Sequence, residues 1–187
     1  YGAVDPAVSS QEQLFVFLPG TNGSPLSTRL IVQQAASLGY HTLGLTYPNS
    51  IAVTSAAACR FSRNRNCAEN FRLEVAAGVD RSSQINVTPA NSIQNRLIQV
   101  LRYLALQAPD QEWSTFFSDG ELQWSRIVLA GHSQGGGHAA IIAKYRSLAG
   151  VLLFAPELDY SNVFDAFAPW VAKDSLTPAG RYYTFQH

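Results

Sequence analysis

Charge is scarce in this chain. Only 14% of its 187 residues are Asp, Glu, Lys or Arg, and the 13 acidic and 13 basic side chains cancel. Soluble domains carry about a quarter. Sparse, balanced charge excludes the electrostatic footprint of a nucleic-acid or anionic-membrane partner. Lysine is almost missing, with only Lys144 and Lys173 present. Arg60, Arg63 and Arg65 cluster across a short loop rather than a helical face, so they are expected to be solvated or ion-paired. No apolar run is long enough to span a bilayer, and no signal peptide is visible. Low charge does not mean disorder here, because 47% of the chain is hydrophobic and 11% aromatic. That supports one domain over residues 1–187 with a substantial core.

There are only two cysteines, Cys59 and Cys67, in CRFSRNRNC. No His or Cys lies beside them at metal-ligand spacing, so neither zinc nor another metal is expected. A disulfide closing this polar loop is expected, which points to an oxidising compartment, secreted or periplasmic. The chain opens on Tyr1 rather than Met, which fits a processed secreted protein and equally a start chosen for expression. Asn22 (NGS) and Asn86 (NVT) match glycosylation sequons, but so short a pattern decides nothing.

The hydrophobic residues fall into short continuous runs. LFVFL (14–18), HTLGLTY (41–47), RIVLA (126–130), VLLFA (151–155) and RYYTFQH (181–187) read as strands. Helices are expected between them. One has Ser24 as N-cap, Pro25 at the first position, and Leu26, Leu30 and Ala35 on its face. Another is capped by Asn91 or Ser92 and carries Ile93, Leu97, Leu101 and Leu104. A third runs from Gln134 to Leu148, closed by Gly150. Residues 49–90 form a loop-rich excursion with a short helix over 67–76. Alternating strands and helices imply an α/β fold, a mostly parallel sheet with helices on both faces.

Residues 129–138 read LAGHSQGGGH. Gly131-His132-Ser133-Gln134-Gly135 matches G-x-S-x-G between a buried strand and a helix, the context that pattern requires. A strand turning straight into a helix strains its corner residue. Glycines two before and two after relieve the collisions. Ser133 is the candidate nucleophile, and the Gln134 N–H at the helix start is a candidate oxyanion donor. A second donor is expected in the loop after LFVFL, from Thr21 first and Gly20 second. His132 is expected to pack behind the corner and His138 to be structural. Gly136 reads as close helix–sheet packing, and Gly137 has no evident purpose.

These segments resemble the α/β-hydrolase superfamily over nearly the whole chain, in particular secreted bacterial serine hydrolases of esterase or lipase type. The resemblance implies acyl transfer through a serine ester, a small-molecule ester substrate and no cofactor. It also implies the chain order Ser, then Asp or Glu, then His. Only two strands follow Ser133 before His187, so two readings stay open. In the first, the fold is C-terminally short and a separate polypeptide or missing segment carries acid and base. In the second, His187 is the base, with Asp159, then Asp165, then Glu157 as the acid. The first is preferred, since a base must be held in reach and chain termini are usually mobile. A non-catalytic binding protein, an acyltransferase and an amidase remain alternatives on the same fold. The aromatics at 160–170 and the excursion at 49–90 are candidates for an acyl pocket or lid.

Overall fold

The strand LFVFL lies at the heart of the molecule, and all five of its residues are buried. The computed structural model describes residues 1–186. Its elements run β1 (Gly2–Ala3), β2 (Leu14–Leu18), α1 (Arg29–Ser37), β3 (His41–Gly44), α2 (Cys67–Ala77) and α3 (Ile93–Gln107). Then come the short hairpin β4–β5 (Phe117–Ser118, Glu121–Leu122), β6 (Ile127–His132), α4 (Gln134–Tyr145) and β7 (Gly150–Phe154). A second short hairpin, β8–β9 (Tyr160–Ser161, Ala166–Phe167), precedes β10 (Tyr182–Phe185).

Six strands form one sheet in the order β1-β3-β2-β6-β7-β10. All neighbours are parallel except the β1–β3 pair. This is a mostly parallel α/β sheet. Side-chain alternation along β2 divides the core. Leu14, Val16 and Leu18 face the layer of α2, α3 and α4, while Phe15 and Phe17 face Val32 and Ala35 of α1. The α1 side is thinly covered beyond β6. There Phe154 stacks on Phe185 with ring centroids 5.1 Å apart, and Tyr183 and Phe185 are exposed.

Several boundaries differ from the sequence reading. Ser24 caps a 3-10 turn, Pro25–Thr28, and the α-helix begins only at Arg29. Leu26 and Leu30 are exposed, because the buried stripe is Val32, Ala35 and Ala36 at i, i+3, i+4 spacing. The strand at 41–47 stops at Gly44, and α4 stops at Tyr145, so Gly150 opens β7 rather than closing the helix. Helix α3 follows its pattern: Ser92 Oγ accepts from the Asn95 N–H at 3.2 Å, and Ile93, Leu97 and Leu101 are buried.

The excursion is ordered around α2. Cys59 and Cys67 form a disulfide with Cα atoms 5.6 Å apart, tying the polar loop to the first residue of α2. Glu74 is buried at the other end, and its carboxylate accepts N–H groups of Arg81, Ser82 and Val87 at 2.8–2.9 Å. It thereby shapes the loop that leaves the helix. Arg60 and Arg65 are not ion-paired among the described residues; their guanidinium groups lie 5.4 Å from the Phe61 ring and 4.7 Å from the Phe164 ring. No described helix is long and apolar enough to cross a membrane.

Candidate active site

Ser133 is the single residue between the end of β6 and the start of α4. Its backbone sits at φ 52°, ψ −120°, a left-handed value that costs about 1–3 kcal/mol for a side-chain-bearing residue. Three main-chain bonds hold it there. Its N–H donates to the Phe154 carbonyl at 3.0 Å, and its own carbonyl accepts from Gly137 at 3.1 Å and Glu157 at 3.0 Å. The flanking glycines supply room rather than freedom, since none of Gly131, Gly135, Gly136 and Gly137 has positive φ. A Cβ on Gly131 would lie 2.4 Å from the Gly135 carbonyl group, and one on Gly135 would lie 2.1 Å from the Leu18 oxygen. The corner therefore packs directly against the end of β2.

The loop after β2 meets Ser133 from that side. A Cβ on Gly20 would sit 3.3 Å from Ser133 Cβ. Thr21 Oγ1 donates to Gln134 Oε1 at 2.9 Å, joining the loop to the first residue of α4. Gln134 is fully buried, and its Nε2 has no partner among the described residues. The main-chain N–H groups of Gly20, Thr21 and Gln134 likewise find no acceptor among the described residues. Sequence reasoning named these three; here they gather around one serine.

Beneath the corner lies a buried charge that sequence reasoning missed. Arg72, on α2, is fully buried. It donates from Nε and Nη2 to the two Asp159 oxygens at 2.7 and 2.5 Å, and from Nη1 to the Gln134 carbonyl at 3.1 Å. Nη2 also reaches the Glu157 carbonyl and carboxylate at 3.1 and 3.2 Å. Burial opposes the guanidinium's charge, but Asp159 and Glu157 outweigh it and raise its pKa. A Cβ on Gly137 would lie 2.5 Å from the Arg72 guanidinium, which gives that third glycine its purpose. The available signal was an arginine set directly between two apolar residues, Phe71 and Leu73, together with a glycine no turn required.

The expected acids are all engaged. Asp159 is buried and accepts from Arg72 and from Trp170 Nε1 at 2.8 Å. Glu157 accepts from Thr54 and Arg72, and Asp165 from the Tyr160 hydroxyl. Of the histidines, His41 is buried, with Nε2 2.6 Å from the Gln111 carbonyl. His138 is fully buried beside Tyr47, with ring centroids 5.4 Å apart. Burial, reinforced by the Arg72 charge, pushes its pKa well below the ordinary value. His132 is exposed, not packed behind the corner. It shares the α1 face of the sheet with Val128 and Ala130, and α1 packs mainly on β1, β2 and β3. His187 lies outside the described residues. Among the described residues no group of three or more His, Cys, Asp and Glu side chains is arranged to hold a metal.

The Phe185 end of β10 lies at the same end of the sheet as Ser133. Phe185 pairs with Phe154, whose carbonyl accepts the Ser133 N–H.

No protein-family model and no curated protein matches the chain. A solved structure titled "Bacterial Heroin Esterase" aligns with 84% of this chain and 39% of its own, at 17% identity and a TM-score of 0.43. The chain thus spans 39% of that protein's length.

Proposed function

We propose that this chain is a serine hydrolase of the α/β-hydrolase type, cleaving carboxylic esters through an acyl-enzyme on Ser133. The observation that carries the reading is the strained, three-way-pinned Ser133 with free N–H groups from Thr21 and Gln134 close by. Donors held in place before the reaction stabilise charge as it develops, without reorganising.

In this reading Ser133 Oγ attacks the ester carbonyl carbon as its proton passes to a base. The carbonyl oxygen takes up the negative charge and accepts from the Thr21 and Gln134 N–H groups, with Gly20 as a further donor. Collapse expels the alcohol, which takes the proton, and leaves the acyl group on Ser133. Water then repeats the sequence and releases the acid.

This reading takes none of the three described histidines as the base; His132 is exposed at the end of β6, on the α1 face of the sheet. His41 and His138 are buried away from solvent, and burial, with the Arg72 charge second, lowers the His138 pKa. Asp159 and Glu157 are committed to Arg72, so their first task is to hold the corner. In this reading the base lies outside the described residues 1–186. Among the described residues β10 is an edge strand, and its Tyr183 and Phe185 are exposed. The disulfide supports a secreted or periplasmic location.

A fluorophosphonate probe tests the reading. Covalent labelling at Ser133, lost in Ser133→Ala, is expected, together with release of acid and alcohol from p-nitrophenyl esters. No labelling of the protein carrying everything its gene encodes would leave a binding protein on the same fold. Faster cleavage of anilides than of esters would make it an amidase.

A further inference from the structure

The loop that carries Thr21 is held from behind by the segment following β3. Asn49 Nδ2 donates to the carbonyls of Gly20 and Gly23 at 2.8 and 2.9 Å. The Asn49 carbonyl accepts from the Asn22 N–H at 3.0 Å, and the Gly23 N–H closes onto the Gly20 carbonyl at 2.9 Å. The buried Tyr47 hydroxyl donates to the Pro19 carbonyl at 2.6 Å. The partnered and unpartnered groups alternate along the chain in a telling way.

A trans peptide is planar, with its C=O and N–H pointing in opposite directions. The Gly20 carbonyl and the Thr21 N–H belong to one such plane. Pulling the Gly20 carbonyl toward Asn49 therefore turns the Thr21 N–H the other way. The Pro19 carbonyl and Gly20 N–H are related in the same manner, with Tyr47 as the anchor. Two neighbouring peptides are thus fixed by their carbonyls while their N–H groups stay free. Next to glycine, where little side-chain bulk resists a peptide flip, such anchoring decides the orientation.

We infer that Asn49 is the positioning residue that aims the Thr21 N–H at the reacting oxygen. This rests on the ester-hydrolase reading of Ser133. The residue type is demanding: its amide nitrogen offers two hydrogens to two carbonyls. An aspartate of the same shape has none to give and faces both carbonyls with like charge. A donor that is misaimed costs transition-state stabilisation and leaves ground-state binding nearly untouched.

The test is Asn49→Asp, with Asn49→Ala as the uncharged second variant, read by steady-state kinetics on p-nitrophenyl esters and by amide hydrogen exchange. In both variants kcat is expected to fall by about 10²-fold, the scale of one lost oxyanion donor, with KM within about threefold. The Gly23 amide should exchange at least about tenfold faster, because its acceptor is the Gly20 carbonyl, while amides of β2 and β6 keep their wild-type rates. Unchanged kcat, or unchanged Gly23 exchange, overturns the inference. So does faster exchange throughout β2 and β6, which would make Asn49 a global stabiliser only. If wild type neither labels nor turns over, the ester-hydrolase reading fails and the aiming role with it. Localised Gly23 exchange would then still mark Asn49 as the anchor of this peptide.

Discussion

Arg72 grips Asp159 with two of its nitrogens, at 2.7 and 2.5 Å, from a position where neither residue meets solvent appreciably. The pair joins α2 to the segment after β7, and Arg72 extends the link to the Gln134 carbonyl. Removing one partner leaves an uncompensated buried charge. Asp159→Leu should therefore cost about 3–5 kcal/mol, and Arg72→Met a comparable amount. Replacing both together, Arg72→Met with Asp159→Leu, should cost clearly less than the two single losses combined. Urea unfolding of the four proteins checks this. Additive losses would mean the two side chains act independently.

Gly137→Ala pits two effects against each other. Alanine favours a helix interior by about 1 kcal/mol over glycine. Against that, its Cβ would lie 2.5 Å from three guanidinium atoms of Arg72. A flexible side-chain end usually yields cheaply, but this one is tied to Gln134, Glu157 and Asp159. The clash wins, and a net loss of about 1–3 kcal/mol is expected, the range for overpacked cores. In an Arg72→Ala background the space is free. The same glycine substitution should there be neutral or stabilising, which thermal melts of the paired variants would reveal.

The corner at Ser133 was legible because its constraint is local. A buried strand, a helix start and glycines two places either side of a serine leave few backbone arrangements. The strands β2, β6 and β7 were legible as continuous apolar runs, since a parallel strand is buried on both faces. The α1 face was misread because Leu26 and Leu30 look like core residues, and only the sheet decides which stripe is covered. Arg72 left only a faint mark in the sequence, its place between two apolar residues and an unexplained Gly137, and Asn49 left none. Their partners lie 87 and 29 positions away, or 26, and nothing in their immediate sequence encodes that distance. What a linear pattern misses here is the polar scaffolding beneath the site, because buried hydrogen bonds are fixed by the fold rather than by periodicity.

His138 gives stability a pH dependence of known sign. Its folded pKa is depressed well below 6.5, by burial first and the Arg72 charge second, while the unfolded chain binds a proton near the ordinary value. The unfolded state holds more protons wherever pH is below about 6.5, so stability falls as pH falls. It is fully present above about pH 7. The His138 contribution should reach about 1.4 kcal/mol per pH unit once the unfolded imidazole is protonated. Denaturant midpoints between pH 8 and 5 should show this slope in wild type. His138→Leu should lack it, so that the difference between the two proteins changes with pH. A constant difference across that range would mean His138 titrates alike in both states.

Gly20→Ala separates reactivity from folding. Gly20 has no positive φ, so its backbone accepts a side chain without strain. The added methyl would sit 3.3 Å from Ser133 Cβ, 3.2 Å from His132 Nδ1 and 3.3 Å from the His132 carbonyl. Those separations are tight but not prohibitive, and His132 is exposed and able to move. Stability should change by less than about 1 kcal/mol, as for most substitutions outside the core. The gap between the loop and Ser133 is another matter, since an ester carbonyl must enter it with atoms about 3 Å from both nucleophile and donors. Narrowing it by one methyl displaces the reacting carbon, and displacement on that scale costs about 10²-fold in rate. The fluorophosphonate labelling rate should fall by that factor while the melting temperature holds. Gly180→Ala is the matched control: nothing lies within 4 Å of a Cβ there, and neither quantity should move. Unimpaired labelling of Gly20→Ala would place the reacting carbon elsewhere than between this loop and Ser133.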